Sequence, residues 1–141
     1  MNFSLKSEYA LRAVFDLACQ AQREPVRIAD ISRRQRIPRK FLELILAGLK
    51  GAGFVESRRG AEGGYLLARP AEQIAVGDVL RHAESDRTLR SRARKKGETP
   101  FSDLWARLDE AVSGVVDRTT FGELRDRWRE RQAAIAPTWD I

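Results

Sequence analysis

Apolar side chains recur every three or four positions through the N-terminal third of the chain, which is the spacing of one helix face. A first helix is predicted in residues 5–21, where this face comprises Tyr9, Ala10, Ala13, Val14, Leu17 and Ala18. Ile28 and Ile31 indicate a short second helix. It should end near Gln35, because Pro38 disfavours helical backbone at the residue before it.

The helical pattern repeats once more before its period changes. A third helix is predicted to face the core with Phe41, Leu42, Ile45, Leu46 and Leu49. Gly51 and Gly53 should end this helix, since glycine is favoured just after a helix C-terminus. Two short strands are then predicted in residues 54–58 and 65–67, on either side of the glycine-rich turn 59–64. Two strands with such a turn between them predict a hairpin.

Helical spacing returns in the second half of the chain. A short fourth helix is predicted from Ile74, Val76, Val79, Leu80 and Ala83. A long fifth helix is predicted from an apolar stripe whose members are spaced four, three, four and three residues apart: Phe101, Trp105, Leu108, Val112 and Val115. Leu104 and Ala111 widen this stripe. Thr120 and Glu123 have the spacing of a capping box for a last helix that carries Leu124 and Trp128.

The composition narrows the class of protein. A chain of 141 residues, 43% apolar and 33% charged, is expected to form one compact domain with at most an appendage. Its apolar runs are too short for a transmembrane helix and charges interrupt its N-terminal segment, so we expect a cytoplasmic protein without membrane contact. We expect no enzyme, because neither a nucleophile with its base, nor paired carboxylates, nor a phosphate loop is visible.

Few side chains could bind a metal or sense redox state. Cys19 and His82 are the chain's one cysteine and one histidine, so neither a disulfide within the chain nor a Cys/His metal site is predicted. Both read as packing residues. The tryptophans read as anchors of the core or of an interface: Trp105, Trp128 and Trp139.

The positive charge is unevenly distributed. Residues 1–70 hold 13 basic and 7 acidic side chains, whereas residues 71–141 hold 13 of each. Such a local excess attracts polyanions and favours nucleic acid as a partner. Residues 87–96 hold six basic side chains in ten, and this segment, with little to bury, is predicted to be a mobile loop.

The order of helix, short helix, turn, longer helix and hairpin is that of a winged helix-turn-helix, a mostly α fold with a small β-hairpin wing. Arg39 and Lys40 fall in the first turn of the third helix and are predicted to enter a major groove, where Glu43 can accept from a cytosine amino group. Arg58 and Arg59 lie beside the glycines of the wing, where an arginine can enter a minor groove. The predicted DNA-contacting set is Lys6, Arg39, Lys40, Phe41, Glu43, Arg58, Arg59, Gly60, Gly64 and Tyr65.

Five segments are together distinctive: SEYALRA (7–13), IADIS (28–32), FLELILAGL (41–49), GFVESRRGAEGGYLLARP (53–70) and IAVGDVL (74–80). Over residues 2–84 the chain resembles the Rrf2 family of bacterial transcriptional regulators, most distinctively in the Gly-Gly-Tyr wing, and residues 104–124 resemble its C-terminal helices. The resemblance implies a homodimer in which the fifth helix, about residues 101–116, crosses to the partner. It also implies a palindromic operator for double-stranded DNA binding, most often by a repressor.

The best-known members of that family sense iron status, nitric oxide or redox state through an iron-sulfur cluster, which three cysteines hold between the fourth and fifth helices. Residues 85–103 contain no cysteine here: Thr99 stands where the last ligand is expected, and Ser102 where some members place a histidine. Hydroxyl groups do not replace thiolates on iron-sulfide cores. We therefore expect no cofactor, and Glu8, which could match a further ligand of some members, reads as a solvated or salt-bridged residue.

These observations predict a DNA-binding domain in residues 1–84, a basic mobile loop in residues 85–100, and a dimerisation helix with a C-terminal helix in residues 101–141. The expected function is transcriptional regulation through a palindromic operator. One alternative is control by a small molecule or a partner protein bound between the DNA-binding module and the fifth helix. Another is a winged-helix module that binds protein, with residues 87–96 as its contact.

Overall fold

The computed structural model describes residues 3–20, 24–84 and 97–135. Along the chain these residues form α1 (Leu5–Cys19), α2 (Ile28–Gln35), α3 (Arg39–Gly51), β1 (Val55–Arg58), β2 (Gly64–Leu67), a 3₁₀ turn (Ala71–Gln73), α4 (Val76–Glu84), α5 (Ser102–Val116) and α6 (Phe121–Ile135). The strands pair as one antiparallel hairpin. The predicted fold class, a mostly helical winged helix-turn-helix, is therefore confirmed.

Helix α1 lies at the centre of the core, where it contacts α2, α3, α4, α6 and β2. Ser4 begins it by accepting a hydrogen bond on its Oγ from the Ser7 backbone N–H at 3.2 Å, which satisfies an otherwise unpaired donor of the first turn. The buried face comprises Ala10, Ala13, Val14, Leu17 and Ala18, as predicted from their spacing. Three of these five are alanines, whose small side chains allow neighbouring helices to approach closely.

The turn between α2 and α3 is tight. Arg36 ends α2 with a φ of 54°, a left-handed conformation that is uncommon for a residue other than glycine. Ile37 follows it into the core, and its carbonyl accepts a hydrogen bond from Ser32 Oγ at 2.6 Å. This turn places the first residues of α3 at the surface while its later apolar residues join the core.

The hairpin is attached to the rest of the domain through its second strand. Within the hairpin, Val55 lies opposite Leu67 and Arg58 opposite Gly64. Tyr65 also exchanges two backbone hydrogen bonds with Val26, at 2.7 and 2.8 Å. This isolated bridge joins the segment before α2 to the wing.

Helix α6 returns to the N-terminal module. The Phe121 backbone N–H donates to the Ile74 carbonyl at 3.0 Å, and the Phe121 side chain is fully buried. Thr120 Oγ1 accepts from the Glu123 backbone N–H at 3.1 Å, so Thr120 caps this helix as its spacing predicted. Arg125 forms ion pairs with Glu72 and Asp126.

The structure differs from the sequence expectations in a few places. Phe41, predicted to face the core, is 54% exposed, because the buried stripe of α3 is narrower: Leu42, Ile45, Leu46 and Leu49. Ile74 is buried just before α4 and not within it. Trp105 and Trp128, predicted to anchor the core or an interface, are exposed and do not join the core, so the interface alternative remains a prediction.

Two further expectations concern residues that the structure does not describe and helices that could cross a membrane. The predicted basic loop at residues 87–96 and Trp139 lie outside the described residues. Among the described helices, none has the length and apolar character needed to cross a bilayer.

Candidate nucleic-acid interface

The first turn of α3 presents charged side chains to solvent. Arg39, Lys40 and Glu43 are all exposed, because they lie outside the apolar stripe that packs on α1. Arg39 Nε lies 3.8 Å from Glu43 Oε1, one helical turn away. Both side chains are more than half exposed, so this ion pair is weak and easily exchanged for another partner.

Lys40 and Phe41 extend the same outward surface. Lys40 makes no ion pair within the described part of the chain, and its charge therefore remains available to an anion. Phe41, on the boundary between the exposed and buried sides, presents an aromatic ring to solvent. A helix N-terminus with exposed cations can enter a groove of a polyanion such as double-stranded DNA.

The tip of the wing holds two arginines in different surroundings. Arg58, the last residue of β1, pairs with Glu56 at 3.7 Å. Arg59 is exposed in the turn, and no ion pair among the described residues engages it. Gly60 has a φ of 113°, a backbone conformation that favours glycine. This turn therefore presents one guanidinium group, that of Arg59, without an ion pair among the described residues.

Gly64 and Tyr65 were predicted to contact DNA, and the structure gives both of them contacts inside the fold. A Cβ on Gly64 would lie 2.3 Å from the Val26 carbonyl oxygen, so this position must be glycine for Val26 to pair with Tyr65. Tyr65 packs its partly buried ring against the core. Lys6, the remaining predicted contact, is exposed on the first turn of α1.

Contacts that support this surface were not visible in the sequence. Asp16 on α1 is only 2% exposed and accepts from Arg34 Nε and Nη2, each at 2.9 Å, and from Gln35 Nε2 at 3.1 Å. Arg27 Nη2 donates to the Ala61 carbonyl at 2.8 Å, which links the start of α2 to the wing turn. Spacing along one helix does not reveal such pairs, because their partners are far apart in the chain.

The predicted dimerisation helix is α5, and it buries none of its side chains within the described part of the chain. Its apolar residues are instead exposed on one stripe: Phe101, Leu104, Trp105, Leu108 and Val115. Val112 in the middle of this stripe is half-buried. The rings of Phe101 and Trp105 lie 6.3 Å apart between centroids. A stripe of this kind on a helix is typical of a surface that another protein covers.

Cys19 and His82 behave as packing residues. Burial raises the pKa of the Cys19 thiol, against a smaller opposing effect of Arg129, so the reactive thiolate is disfavoured. The His82 ring contacts the Phe54 ring in a tilted arrangement, with 5.9 Å between centroids and 59° between planes, and lies against Gly48 of α3.

A helix-turn-helix with a wing and exposed cations at the start of its second helix defines a class of DNA-binding regulators. Residues 3–127 match the sequence profile of the Rrf2 family, described as an iron-dependent transcriptional regulator. Because this match spans most of the chain, the protein belongs to the Rrf2 family.

Relatives agree with this assignment. The chain is 38% identical over 130 residues to the HTH-type transcriptional regulator IscR of Klebsiella pneumoniae, which covers 88% of this chain and 79% of that protein. The structure of T. potens IscR matches with a TM-score of 0.81 and 32% identity, over 94% of this chain and 91% of that one. CymR of B. subtilis, the global cysteine regulator, matches with a TM-score of 0.76 and 30% identity, over 90% and 98%. The chain is therefore an HTH-type, DNA-binding transcription regulator.

The donor set of this chain does not fit an iron-sulfur cluster held by three cysteines. Its one thiol, Cys19, lies within α1. Thr99 and Ser102 are used at the start of α5, where the Thr99 backbone N–H donates to Ser102 Oγ at 2.9 Å. Glu8 is paired with Arg12 at 2.6 Å, as the salt-bridged interpretation predicted. Within the described ranges, no three His, Cys, Asp or Glu side chains lie close enough together to hold a metal ion.

Proposed function

We propose that this regulator binds a palindromic operator as a homodimer and represses transcription without an iron-sulfur cluster. The observation that carries the proposal is a pair of cations without an ion pair among the described residues: Lys40 at the start of α3 and Arg59 at the wing tip. The relatives of this chain are HTH-type transcriptional regulators. Both cations are exposed on elements that a winged module presents to DNA.

In this proposal the two elements have separate roles. The N-terminus of α3 enters the major groove, where Arg39 and Lys40 contact phosphates and base edges and Glu43 accepts from a cytosine amino group. The Arg39 and Glu43 pair at 3.8 Å opens on binding, which frees the guanidinium for the DNA. Arg59 enters the minor groove, whose narrow regions attract arginine.

The exposed stripe of α5 supports the two-fold symmetry of this proposal. A second copy that packs on this stripe places two winged modules on one duplex, and a dimer with two-fold symmetry reads a palindrome. The signal that controls binding is then an unidentified small molecule or partner protein, because the thiolate chemistry of a cluster is missing from the sequence.

The proposal is tested by selecting duplexes from a randomised DNA pool with the full chain, then measuring affinity by fluorescence anisotropy at two salt concentrations. We expect a palindromic consensus, and an affinity for it that exceeds that for scrambled DNA and falls as salt rises. Recovery of an unchanged pool with equal binding to all duplexes would contradict sequence-specific regulation. Absence of any DNA binding, with capture of a protein ligand instead, would favour the interaction-module alternative.

The cluster-free state is tested on protein purified without oxygen. We expect a colourless protein with neither iron nor acid-labile sulfide, because one cysteine cannot hold such a cluster. Stoichiometric iron with a visible charge-transfer band would contradict this part of the proposal. Cys19, Glu8 and His82 would then be the residues to substitute.

A further inference from the structure

Leu44 is 71% exposed in the middle of α3. The buried residues of this helix are Leu42, Ile45, Leu46 and Leu49, and at 3.6 residues per turn Leu44 projects from the opposite side. Lys40 one turn earlier and Ala47 about one turn later project in nearly the same direction, and both are exposed. Leu44 therefore lies at the centre of the outward surface of the second helix of the helix-turn-helix.

Exposed cations outnumber carboxylates on α3: Arg39, Lys40 and Lys50 against Glu43. Lys40, one turn before Leu44, projects on the same side of the helix, and the exposed Phe41 ring three residues before Leu44 is its other large neighbour. Helix propensity does not require leucine here, since lysine or glutamate would serve nearly as well. An exposed isobutyl group on a helix with an excess of cations instead fits a ligand that is polyanionic overall and carries apolar groups.

This combination argues against a second copy of the chain as the partner of α3. Two copies packed through Leu44 across a two-fold axis would bring the excess positive charge of one α3 toward that of the other, with Lys40 nearest the contact, and like charges repel. Helix α5 differs, because it carries exposed charges of both signs, for example Asp103, Arg107 and Glu110. Self-association therefore suits α5, whereas α3 suits an anion.

The major groove of DNA is anionic at its edges and carries one apolar group in its base code, the C5-methyl of thymine. We propose that Leu44 reads sequence by packing against this methyl group, so that α3 selects thymine at one position of each half-site. Ala47, one turn further along, is small enough to let the helix approach closely. The inference rests on the proposed function and adds a specificity-determining residue to it.

The experiment removes the methyl group from the DNA and the side chain from the protein independently. Starting from a duplex selected by the wild-type chain, each thymine is replaced in turn by deoxyuridine, which lacks only the C5-methyl. For the wild-type chain we expect one position per half-site at which this replacement weakens binding about three- to fivefold, the factor for burying one methyl group. Leu44→Ala should bind the thymine and uracil duplexes equally.

Two variants control for effects on folding and on general affinity. Ile135→Ala removes a side chain of equal exposure, 72%, from the far end of α6, and it should keep the full discrimination between thymine and uracil. Leu44→Met keeps an apolar group at the same place and should keep most of it. Thermal unfolding of Leu44→Ala should match that of the wild type, because the side chain makes little contact within the chain.

Four results would overturn the inference. The inference is wrong if Leu44→Ala still discriminates between thymine and uracil, or if the wild-type chain never does, because Leu44 then does not read a methyl group. In both cases the selected consensus sequence would leave the proposed function intact. A change of oligomeric state in Leu44→Ala would show that protein covers this side chain. Failure to select any sequence would instead remove the proposed function, and this inference with it.

Discussion

At the scale of single residues, Arg59 is the wing residue whose loss should matter most for DNA binding. It is free among the described residues, whereas its neighbour Arg58 is engaged by Glu56. We expect Arg59→Ala to weaken operator binding by about 1 to 3 kcal/mol, because a guanidinium in a narrow minor groove is attracted by both its potential and its width. Anisotropy titrations on operator and scrambled duplexes measure this loss.

Arg131→Ala is the matched control, since it removes an exposed arginine from α6. It changes the net charge by the same amount and should leave the preference for the operator unchanged. An equal loss of operator binding in the two variants would mean that Arg59 contributes only its charge and is not in a groove.

Phe41 and Gly64 show what sequence reasoning can and cannot decide for one residue. Spacing placed Phe41 within the apolar stripe of α3, but the stripe needs only four residues to fill its share of the core, and the ring at its edge remains exposed. Glycine at position 64 was visible in the sequence. The reason why glycine is required there is the Val26 carbonyl oxygen, which would lie 2.3 Å from any Cβ at that position. This close approach depends on a strand-like contact between segments that no local pattern announces.

At the scale of elements, the buried Asp16 connects α1 to α2. Its carboxylate is fixed by two hydrogen bonds from Arg34. We expect Arg34→Ala to lower the free energy of unfolding by about 2 to 3 kcal/mol, because it leaves a buried carboxylate without its cation. The loss is not larger, because Arg34 is partly exposed and solvent already weakens the ion pair. Urea unfolding at neutral pH measures the change.

The control for this prediction is one residue away. Arg33 pairs with Asp30 at 3.2 Å on the surface of the same helix, and Arg33→Ala should cost only about 0 to 1 kcal/mol. Similar losses in both variants would point to helix propensity, and would exclude the buried carboxylate as the reason for the larger effect.

A second connection joins α4 to α1 through the carboxylate of Glu84. Ser7 donates from its Oγ to Glu84 Oε1 at 2.5 Å, and Ser4 donates to the same oxygen from its backbone N–H and its hydroxyl. The hydrogen bond from Ser7 is the largest cause that holds the pKa of Glu84 below its ordinary value. The ionised carboxylate also lies at the N-terminus of α1, where a helix favours negative charge.

A pKa that is lower in the folded than in the unfolded protein contributes stability above the unfolded value and loses it as the pH falls through the folded value. We therefore expect Glu84→Gln to melt below the wild type at neutral pH, and the difference to disappear in acid. Thermal unfolding between pH 7 and pH 3 checks this, with Glu130→Gln on α6 as a control that should show no such trend. A difference that is independent of pH would show that the charge of Glu84 is not what stabilises the contact.

The elements themselves were largely predictable, and the connections between them were not. Helical spacing indicated α1 and α2, and the glycines around the turn indicated the hairpin, because each depends on residues that are close in sequence. Glu84 and Ser7 are 77 positions apart, and neither stands in a pattern that requires the other. The candidate DNA surface was likewise predicted from outward-facing charges, whereas the exposed Leu44 was not, because an apolar residue on a helix is ordinarily assigned to its core.

At the scale of the whole molecule, the question is what covers α5. Most of its apolar stripe is exposed among the described residues, with Val112 half-buried. Arg81 on α4 holds the far end of α5 through an ion pair with Asp117, whose nearest atoms are 2.5 Å apart. One end of the helix is thus fixed to the DNA-binding module while the stripe remains open to a partner.

We predict that this partner is a second copy, and that Leu108→Asp combined with Val112→Asp gives monomers or aggregates. Two carboxylates in the middle of the stripe would have to be buried without cations in the dimer, which costs far more than an exposed substitution. Sedimentation at micromolar concentration checks this, with Ala106→Asp and Ser113→Asp as a control that adds the same charge to the opposite side of α5. A wild-type chain that sediments as a well-folded monomer would contradict the dimer. If the control pair dissociated the protein as fully as the stripe pair, added charge on α5 would be the cause, and the stripe would not be the interface.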